Sequence, residues 1–272
     1  MQNTYSYDDI KNMTYTDFVG FVNQWNVPPG SFSTLSEWIL NSHINENSSI
    51  LEIACTTGFS SREIAILTKC KALGFDISKS SVASAIKNKE QFAANLDISY
   101  EVADGYQFES NDDFSHLVVG GSLKFFPDPE RMINKCLSLL KNGGFILASP
   151  YFISSPIPAN LVRQFEKVYG ITPTTESYKD VMGLYKGLEI IYESRKDIIP
   201  ETADEMHHYC ESITNRTCNE LNIKDEKLQT LIYERMLNIK NLANELRTYQ
   251  GYSVLVLRYR PSTYPNRFVE LF

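Results

Sequence analysis

The sequence lacks the features of membrane and secreted proteins. No apolar run approaches the length of a membrane span, so we expect no membrane partner. The chain begins without a basic stretch followed by an apolar one, so no signal peptide is predicted. The five cysteines are odd in number and none forms a CxxC pair, which disfavours a disulfide framework and a zinc site. We therefore expect a cytoplasmic protein with reduced thiols and no bound metal.

The chain also has fewer basic than acidic residues. The 272 residues carry 26 basic and 33 acidic side chains, a formal net charge of −7. Wrapping a nucleic acid requires a basic face, so no nucleic-acid partner is predicted. Hydrophobic residues make up 43% of the chain, an ordinary globular composition that can bury a core.

Short β-branched runs alternate with amphipathic stretches of helical length from residue 48 onward. The predicted strands are 50–54, 71–75, 98–102, 117–119 and 145–148, followed by two later ones at 188–193 and 252–259. The helical stretches between the first five are 61–69, 80–95 and 129–140, and "NGG" at 142–144 is expected to end the last of them. Alternating strands and helices predict an α/β fold, a doubly wound, mostly parallel sheet.

The chain divides into three predicted parts. Residues 1–47 are polar and aromatic and are broken by Pro28, Pro29 and Gly30, which favours an N-terminal helical cap. Residues 48–196 and 251–272 form the predicted core. Residues 197–250 have a mainly helical pattern and form a predicted helical lid, inserted before the last strand.

The stretch "LEIACTTGFSS", residues 51–61, resembles a cofactor loop that is short of glycine. Such loops follow the first strand of a doubly wound sheet and usually carry several glycines. Here only Gly58 remains, and Ala54 and Thr56 stand where two others are usual. A dinucleotide loop requires its glycines so that the backbone can approach a pyrophosphate. The replacements therefore argue against a dinucleotide.

Carboxylates follow the first three strands, at the edge where such sheets bind ligands. Glu52 ends the first strand, Asp76 and Ile77 follow the second, and Asp104 and Gly105 follow the third. Asp76 lies 18 positions after Gly58, near the spacing at which an acidic residue accepts from ribose hydroxyls. Each residue also has a plainer interpretation, as an exposed strand end, a helix N-cap or an Asp-Gly turn.

The order Glu52, Gly58, Asp76, Asp104, then "LLKNGGFIL" at 139–147, resembles the class I S-adenosylmethionine-dependent methyltransferases over residues 48–196 and 251–260. The resemblance implies a Rossmann-like seven-stranded sheet with an antiparallel last strand, and S-adenosylmethionine as cofactor. It also implies that Glu52 supports the loop and the cofactor's amino group, Asp76 the ribose and Asp104 the adenine. The implied cofactor-binding residues are Glu52, Ala54, Thr56, Thr57, Gly58, Asp76, Ile77, Asp104, Gly105 and Gly120.

The substrate side is predicted less specifically. Trp25, Phe125 and Tyr151 are candidates for the walls of a substrate pocket, because they flank the cofactor loop or the predicted strand ends. Methyl transfer can proceed by proximity and orientation, so no catalytic residue is obligatory. If a base is required, the candidates are His207, His208 and Tyr151; two adjacent histidines on a helix face different ways, which disfavours a metal pair.

The leading hypothesis is therefore methyl transfer to an O, N or C nucleophile of a small molecule. Two alternatives remain open: a non-catalytic module that holds the same cofactor, and a nicotinamide-dependent oxidoreductase.

Overall fold

A computed structural model describes residues 5–111, 113–262 and 264–265. Its strands are β1 (Ser49–Ile53), β2 (Lys71–Asp76), β3 (Ile98–Val102), β4 (Phe114–Gly120), β5 (Leu140–Ala148), β6 (Tyr151–Ile153), β7 (Glu189–Asp197) and β8 (Gln250–Arg258). Its helices are α1 (Tyr7–Asn12), α2 (Tyr15–Phe21), α3 (Phe32–Ser42), α4 (Phe59–Thr68), α5 (Lys79–Phe92), α6 (Pro129–Ser138), α7 (Ala159–Tyr169), α8 (Tyr178–Gly183), α9 (Ala203–Glu220) and α10 (Glu226–Leu246). Short 3₁₀ helices span Ser122–Phe125 and Arg247–Tyr249.

The strands form one mostly parallel sheet, which confirms the predicted fold class. Its first five strands run in the order β3-β2-β1-β4-β5 and all pair in parallel. Strand β8 then pairs antiparallel with β5, and β7 pairs with the other edge of β8. The order reverses at β1 and β4, and this reversal opens the crevice in which doubly wound sheets bind ligands.

An eighth strand, β6, extends the predicted seven. Ala148 pairs with Leu255 and Tyr151 pairs with Tyr252, so β6 continues the β5 pairing along the same edge of β8. Between the two strands, the Ser253 N–H donates to the Pro150 carbonyl at 3.0 Å. The continuation carries Tyr151 beyond the carboxyl end of β5.

The "NGG" segment does not end a helix, contrary to the prediction. Helix α6 ends at Ser138, and the Leu139 N–H caps it by donating to the Cys136 carbonyl at 3.1 Å. The glycines lie within β5, at an irregularity in its pairing with β4, and Gly143 has a φ of +79°. Because Leu140 pairs with Phe114, the segment continues as a strand of the sheet. Glycine permits the backbone conformation that this β-bulge requires.

Two apolar clusters bury the faces of the sheet. One gathers Leu35 and Trp38 of α3 with Ile50 and Val254, and the Trp38 indole donates to the Ala148 carbonyl at 3.2 Å. The other packs α6 on the opposite face. Helix α3 therefore belongs to the layer that covers the sheet, although it lies within the predicted N-terminal cap of residues 1–47.

The remaining N-terminal helices pack with the C-terminal ones. Ile10 and Phe18 of α1 and α2 share a buried cluster with Ile213 of α9 and Met236 of α10. Helix α7 packs against α10 through Phe165 and its neighbours. We call α1, α2, α7, α9 and α10 together the lid. Residues 1–4 of the predicted cap, and 263 and 266–272 of the predicted core, lie outside the described residues.

No helix of the described chain has both the length and the hydropathy needed to cross a bilayer.

Candidate functional site

The loop after β1 adopts the backbone conformation of a glycine-rich loop despite its side chains. Ala54, Thr56 and Gly58 have φ angles of +48°, +50° and +71°. Residues other than glycine rarely adopt this left-handed region. The loop therefore keeps its turn geometry at every position where glycine is usual, at the cost of local strain in Ala54 and Thr56.

Glu52 supports the loop from the end of β1. Its carboxylate accepts from the Ser61 N–H at 3.0 Å and from the Ser61 hydroxyl at 2.5 Å. Ser61 lies in the first turn of α4, where backbone N–H groups lack intrahelical acceptors. Burial raises the pKa of Glu52, and the hydrogen bonds from Ser61 oppose that rise. Glu52 thus serves as the cap that the α4 N-terminus lacks locally, since its N-cap residue is Gly58.

Asp76 joins the loop to the end of β2. One carboxylate oxygen accepts from the Thr56 N–H at 3.0 Å, and the other accepts from the Ser78 N–H at 2.9 Å. Each carboxylate oxygen has a second lone pair, so the group retains acceptor capacity. Burial raises the pKa of Asp76, and the nearby Asp17 carboxylate of α2 raises it further. Ile77 follows with 72% of its surface exposed, which leaves an apolar platform beside the carboxylate.

Asp104 and Gly120 occupy the next strand ends. The half-buried Asp104 carboxylate accepts from the Tyr106 N–H at 2.9 Å, as expected for an Asp-Gly turn, and its binding role stays a prediction. Gly105 is buried, and a Cβ there would lie 2.9 Å from the Phe126 ring. Gly120, with a φ of +49°, accepts from the Ser149 N–H at 2.8 Å, which connects β4 to β5.

The segment between α2 and α3 is hydrogen-bonded to the loop. The Thr57 hydroxyl donates to the Gln24 carbonyl at 2.8 Å, and the Asn26 amide donates to the Thr56 hydroxyl at 3.2 Å. Asn23 and Asn88 exchange two hydrogen bonds at 2.9 Å, and Asn88 also donates to the Thr57 carbonyl at 3.1 Å. The hydroxyl proton of Thr57 is therefore committed within the protein.

Tyr100 contacts the loop after β1, although the sequence pattern did not predict it there. In β3 it pairs with Gly74, and its buried hydroxyl donates to the Gly58 carbonyl at 2.9 Å and lies 3.0 Å from the Ser61 hydroxyl. A Cβ on Gly74 would lie 2.7 Å from the Tyr100 ring. A glycine opposite an aromatic residue is the only sequence signal, and it becomes readable only with the strand register.

The predicted pocket residues lie in different surroundings. The Trp25 ring contacts α4 and α5, with the Arg62 guanidinium 4.8 Å from its centroid and the Phe92 ring 5.5 Å away. Phe125 is 51% exposed in the 3₁₀ helix after β4. Tyr151 adjoins Gly121, where a Cβ would lie 3.6 Å from its ring. Of the three, Tyr151 lies at the ends of β4 and β5, and the pocket roles stay predictions.

The three candidate bases lie in two different parts of the structure. His207 and His208 are exposed on α9, and the His207 ring lies 2.6 Å from the Tyr233 hydroxyl. Burial raises the pKa of Tyr151, so its phenol stays protonated at neutral pH and is suited to donate a hydrogen bond. The structure brings neither histidine to the strand ends, and a base role for any of the three stays a prediction.

Cys55, within the loop, is a packing residue in this geometry. Burial raises the pKa of its thiol well above the usual value, and the Glu52 and Asp76 carboxylates raise it further. A protonated, buried thiol is a poor nucleophile.

Comparisons with known proteins point to one family. The sequence profile of the methyltransferase domain family matches residues 44–235, more than half of the chain. The chain belongs to this family. No curated protein sequence matches it significantly.

Solved structures with a similar fold include methyltransferases. The MccD protein superposes with a TM-score of 0.70 and 28% identity, over 86% of this chain and 100% of that one. A S-adenosylmethionine-dependent methyltransferase from Geobacter sulfurreducens, in complex with S-adenosylhomocysteine, has a TM-score of 0.68 and 16% identity over 90% and 98% of the two chains. Phosphoethanolamine N-methyltransferase 2 of Haemonchus contortus has a TM-score of 0.66 and 14% identity over 94% and 61%.

The methyltransferase uses S-adenosylmethionine, and the strand-end residues fit that cofactor. Glu52, Asp76 and Asp104 give this edge of the sheet a negative character, which suits a sulfonium and an amine. The same carboxylates would repel a pyrophosphate. Their charge therefore disfavours a nicotinamide dinucleotide on electrostatic grounds, in addition to the missing glycines.

Proposed function

We propose that the enzyme methylates a small molecule held between the strand ends and the lid. The observation that carries this proposal is the closure of the site by segments distant in sequence. The segment after α2 is hydrogen-bonded to Thr56 and Thr57, and α9 is hydrogen-bonded to that segment through Arg216, which donates to the Val22 and Asn23 carbonyls at 2.8 and 2.7 Å. A covered site of this kind suits a small acceptor better than a duplex or a protein surface.

Within this proposal, three groups of residues hold the cofactor. Asp76 accepts from the ribose hydroxyls with its remaining lone pairs, and the exposed Ile77 packs against the adenine. Asp104 and Gly105 receive the adenine edge. Ala54, Thr56, Thr57 and Gly58 form the turn around the amino-acid tail, whose carboxylate is attracted by the N-terminal end of α4. Glu52 and Gly120 complete the set at the ends of β1 and β4.

The chemistry requires little from the protein beyond placement. When bound, the cofactor supplies an electrophilic methyl group on a sulfonium. An electron pair of the acceptor's O, N or C atom would take that methyl group, the sulfonium leaving as a neutral thioether, and the acceptor would then lose a proton to solvent. The lid excludes water and holds the acceptor in line with the breaking bond, which lowers the entropic part of the barrier.

Calorimetry with S-adenosylmethionine and with NAD tests the cofactor residues. We expect only S-adenosylmethionine to bind, and Asp76→Asn to weaken it roughly tenfold or more, since a hydrogen bond to a charged group is lost. Asp97→Asn is the matched control, because Asp97 is an exposed aspartate on the segment before β3. Absence of binding at millimolar S-adenosylmethionine, or tighter binding of NAD, would contradict the proposal.

Transfer of a labelled methyl group to a panel of metabolites separates an enzyme from a binding module. We expect incorporation into at least one small molecule and none into RNA or bulk protein. Labelling of macromolecules alone would contradict a small acceptor. Tight cofactor binding with no transfer to any fraction of a cell extract would favour the non-catalytic alternative.

A further inference from the structure

Four tyrosines from separate elements gather between the lid and the strand ends. They are Tyr15 of α2, Tyr151 of β6, Tyr169 of α7 and Tyr209 of α9, and each is partly buried. The rings of Tyr15 and Tyr169 lie 4.4 Å apart. Burial raises the pKa of Tyr15, with the hydroxyls of Tyr151 and Tyr209 as further contributions. Burial also raises the pKa of each of the other three phenols, so all four stay protonated at neutral pH.

Two of these hydroxyls are free to bind a ligand. Tyr169 donates to the Ile239 carbonyl at 2.8 Å, and Tyr209 is near the side chain of Gln24. Within the described part of the chain, the hydroxyls of Tyr15 and Tyr151 donate to no protein acceptor. A partly buried phenol with no internal partner offers a donor to whatever fills the space.

Positive charge adjoins the tyrosines. Lys240 lies 4.5 Å above the Tyr209 ring and 2.5 Å from a Glu201 carboxylate oxygen. Arg247 is 3.3 Å from the same oxygen, so one carboxylate faces two cations. Arg247 begins the 3₁₀ helix that leads directly into β8, and β8 pairs there with β6 through Ile153–Gln250 and Tyr151–Tyr252. Consistent with this placement, the Arg247 cation opposes the rise that burial causes in the pKa of Tyr151.

Among the charged groups that adjoin the cluster, cations outnumber anions. The cations are Arg216, Lys240 and Arg247, and the anions are Glu201 and the capping Glu205. This excess occurs in a chain whose formal net charge is −7. Lys240 and Arg247 share the single Glu201 carboxylate, so a further anion would complete their pairing.

The tyrosine cluster adjoins the proposed cofactor site. Gln24, which neighbours Tyr209, accepts from the Thr57 hydroxyl of the loop. Tyr151 adjoins Gly121 at the end of β4. A molecule anchored among the tyrosines therefore extends toward the strand ends, where the methyl group would be delivered.

We propose that this site binds the oxyanion of a small acceptor, a carboxylate or a phosphate, through the Tyr15 and Tyr151 hydroxyls and the Arg247 guanidinium. The inference rests on the proposed function, because it names the class of acceptor for that same site. Phenol and guanidinium donors around an oxyanion form charge-assisted hydrogen bonds, which are the strongest that neutral and cationic side chains make. The oxyanion anchors the acceptor and leaves its nucleophile toward the cofactor.

The test compares matched anionic and neutral ligands on enzyme loaded with S-adenosylhomocysteine. The calorimetric probes are glycerol 3-phosphate against glycerol, and 4-hydroxybenzoate against 4-hydroxybenzamide. We expect the anionic member of at least one pair to bind roughly tenfold or more tightly than its neutral counterpart. The phosphate pair and the carboxylate pair report which oxyanion is preferred.

Variants assign that preference to the named donors. Arg247→Gln and the double variant Tyr15→Phe/Tyr151→Phe should each reduce it to within about threefold, while Arg247→Lys keeps part of it. Arg163→Gln and Tyr7→Phe are matched controls on exposed positions of α7 and α1, and both should keep the full preference. Thermal unfolding of every variant checks that it is folded.

Three results would overturn the inference: equal binding of neutral and anionic members, no binding of any anion at millimolar concentration, or a preference that survives both donor variants. S-adenosylmethionine affinity is measured in parallel, and we expect all the variants to retain it. Loss of the anion preference with intact cofactor binding leaves the proposed function standing. Failure of the wild-type enzyme to bind the cofactor removes both.

Discussion

The Tyr100 hydroxyl donates to the Gly58 carbonyl at 2.9 Å, and the Tyr100 ring fills the space that a side chain on Gly58 would require. A Cβ at position 58 would lie 2.5 Å from the ring, closer than real Cβ contacts. Gly58 also has a φ of +71°. Backbone strain and a fixed aromatic neighbour therefore both require glycine at this point of the loop.

Gly58→Ala should lower the free energy of unfolding by about 2–4 kcal/mol, which combines left-handed strain with overpacking. Gly170→Ala is the matched control, because Gly170 has a φ of +72° and its Cβ would meet nothing within 4 Å. That control should cost only about 1 kcal/mol. Denaturant unfolding measures both, and equal losses would show that Tyr100 yields to the new methyl group.

Ala54→Gly and Thr56→Gly should each stabilise the fold by about 0.5–1 kcal/mol, because relief of left-handed strain exceeds the added entropy of the unfolded chain. Thr56→Gly also removes the hydroxyl that accepts from Asn26, so the gain should be larger for Ala54. Urea midpoints measure the change. Ala72→Gly in β2 serves as control and should destabilise; a loss at position 54 as large as at position 72 would contradict the strain argument.

Arg235→Ala should release the N-terminal helices of the lid. The Arg235 guanidinium donates to the carbonyls of Ile10, Lys11 and Met13 and lies 4.3 Å from the Phe18 ring centroid. We expect faster cleavage of the first twenty or so residues by limited proteolysis and a stability loss of about 2–3 kcal/mol. Arg163→Ala, on the exposed face of α7, should leave the cleavage rate unchanged.

Stability should fall on mild acidification because of His116. Its ring donates to the Ser42 carbonyl at 3.0 Å and stacks 5.2 Å from Phe145, and burial lowers its pKa. The unfolded chain therefore takes up the proton first. The contribution is fully present above a pH of about 6.5 and is lost as the pH falls, by up to about 1.4 kcal/mol per pH unit.

The difference in unfolding free energy between wild type and His116→Gln, measured against pH, isolates this contribution. We expect that difference to shrink below neutrality as the wild type loses its advantage. His207→Gln, at an exposed position, should give a curve parallel to the wild type. A difference that stays constant with pH would mean that His116 is not the titrating group.

The sequence predicted the sheet because its central strands β1, β4 and β8 are buried on both faces and therefore have a nearly continuous apolar pattern. The positions of Asp76 and Asp104 were predictable because the carboxyl ends of parallel strands meet at one edge of the sheet. Tyr100 was not, because its role depends on which residues of β2 and β3 lie opposite each other. The conformations of Ala54 and Thr56 were also unreadable, since tertiary contacts such as that of Asp76 with the Thr56 N–H hold the loop against local preference.

The irregular parts of the fold escaped prediction for local reasons. Asn142, Gly143 and Gly144 match the signal that ends a helix, and only the pairing of β4 with Leu140 draws them into a strand. Trp38 resembles the other aromatics before residue 47, yet it packs on the sheet through the Ala148 carbonyl. Turn residues and aromatic side chains indicate local structure, but they do not indicate which strand or helix they will contact.

The lid has a consequence for how the chain is made. Ile10 and Phe18 are buried against Ile213 and Met236, so these two side chains stay uncovered until α9 and α10 have been synthesised, although α2 can dock earlier on α5 through the hydrogen bond of Ser78 to Asp17. Contacts between such distant segments form late and slowly, because a long loop must close first. The sheet from β1 to β5 can assemble earlier. The apolar side chains of Ile10 and Phe18 therefore remain exposed until the last quarter of these 272 residues has been synthesised, and a chaperone can bind them during that interval.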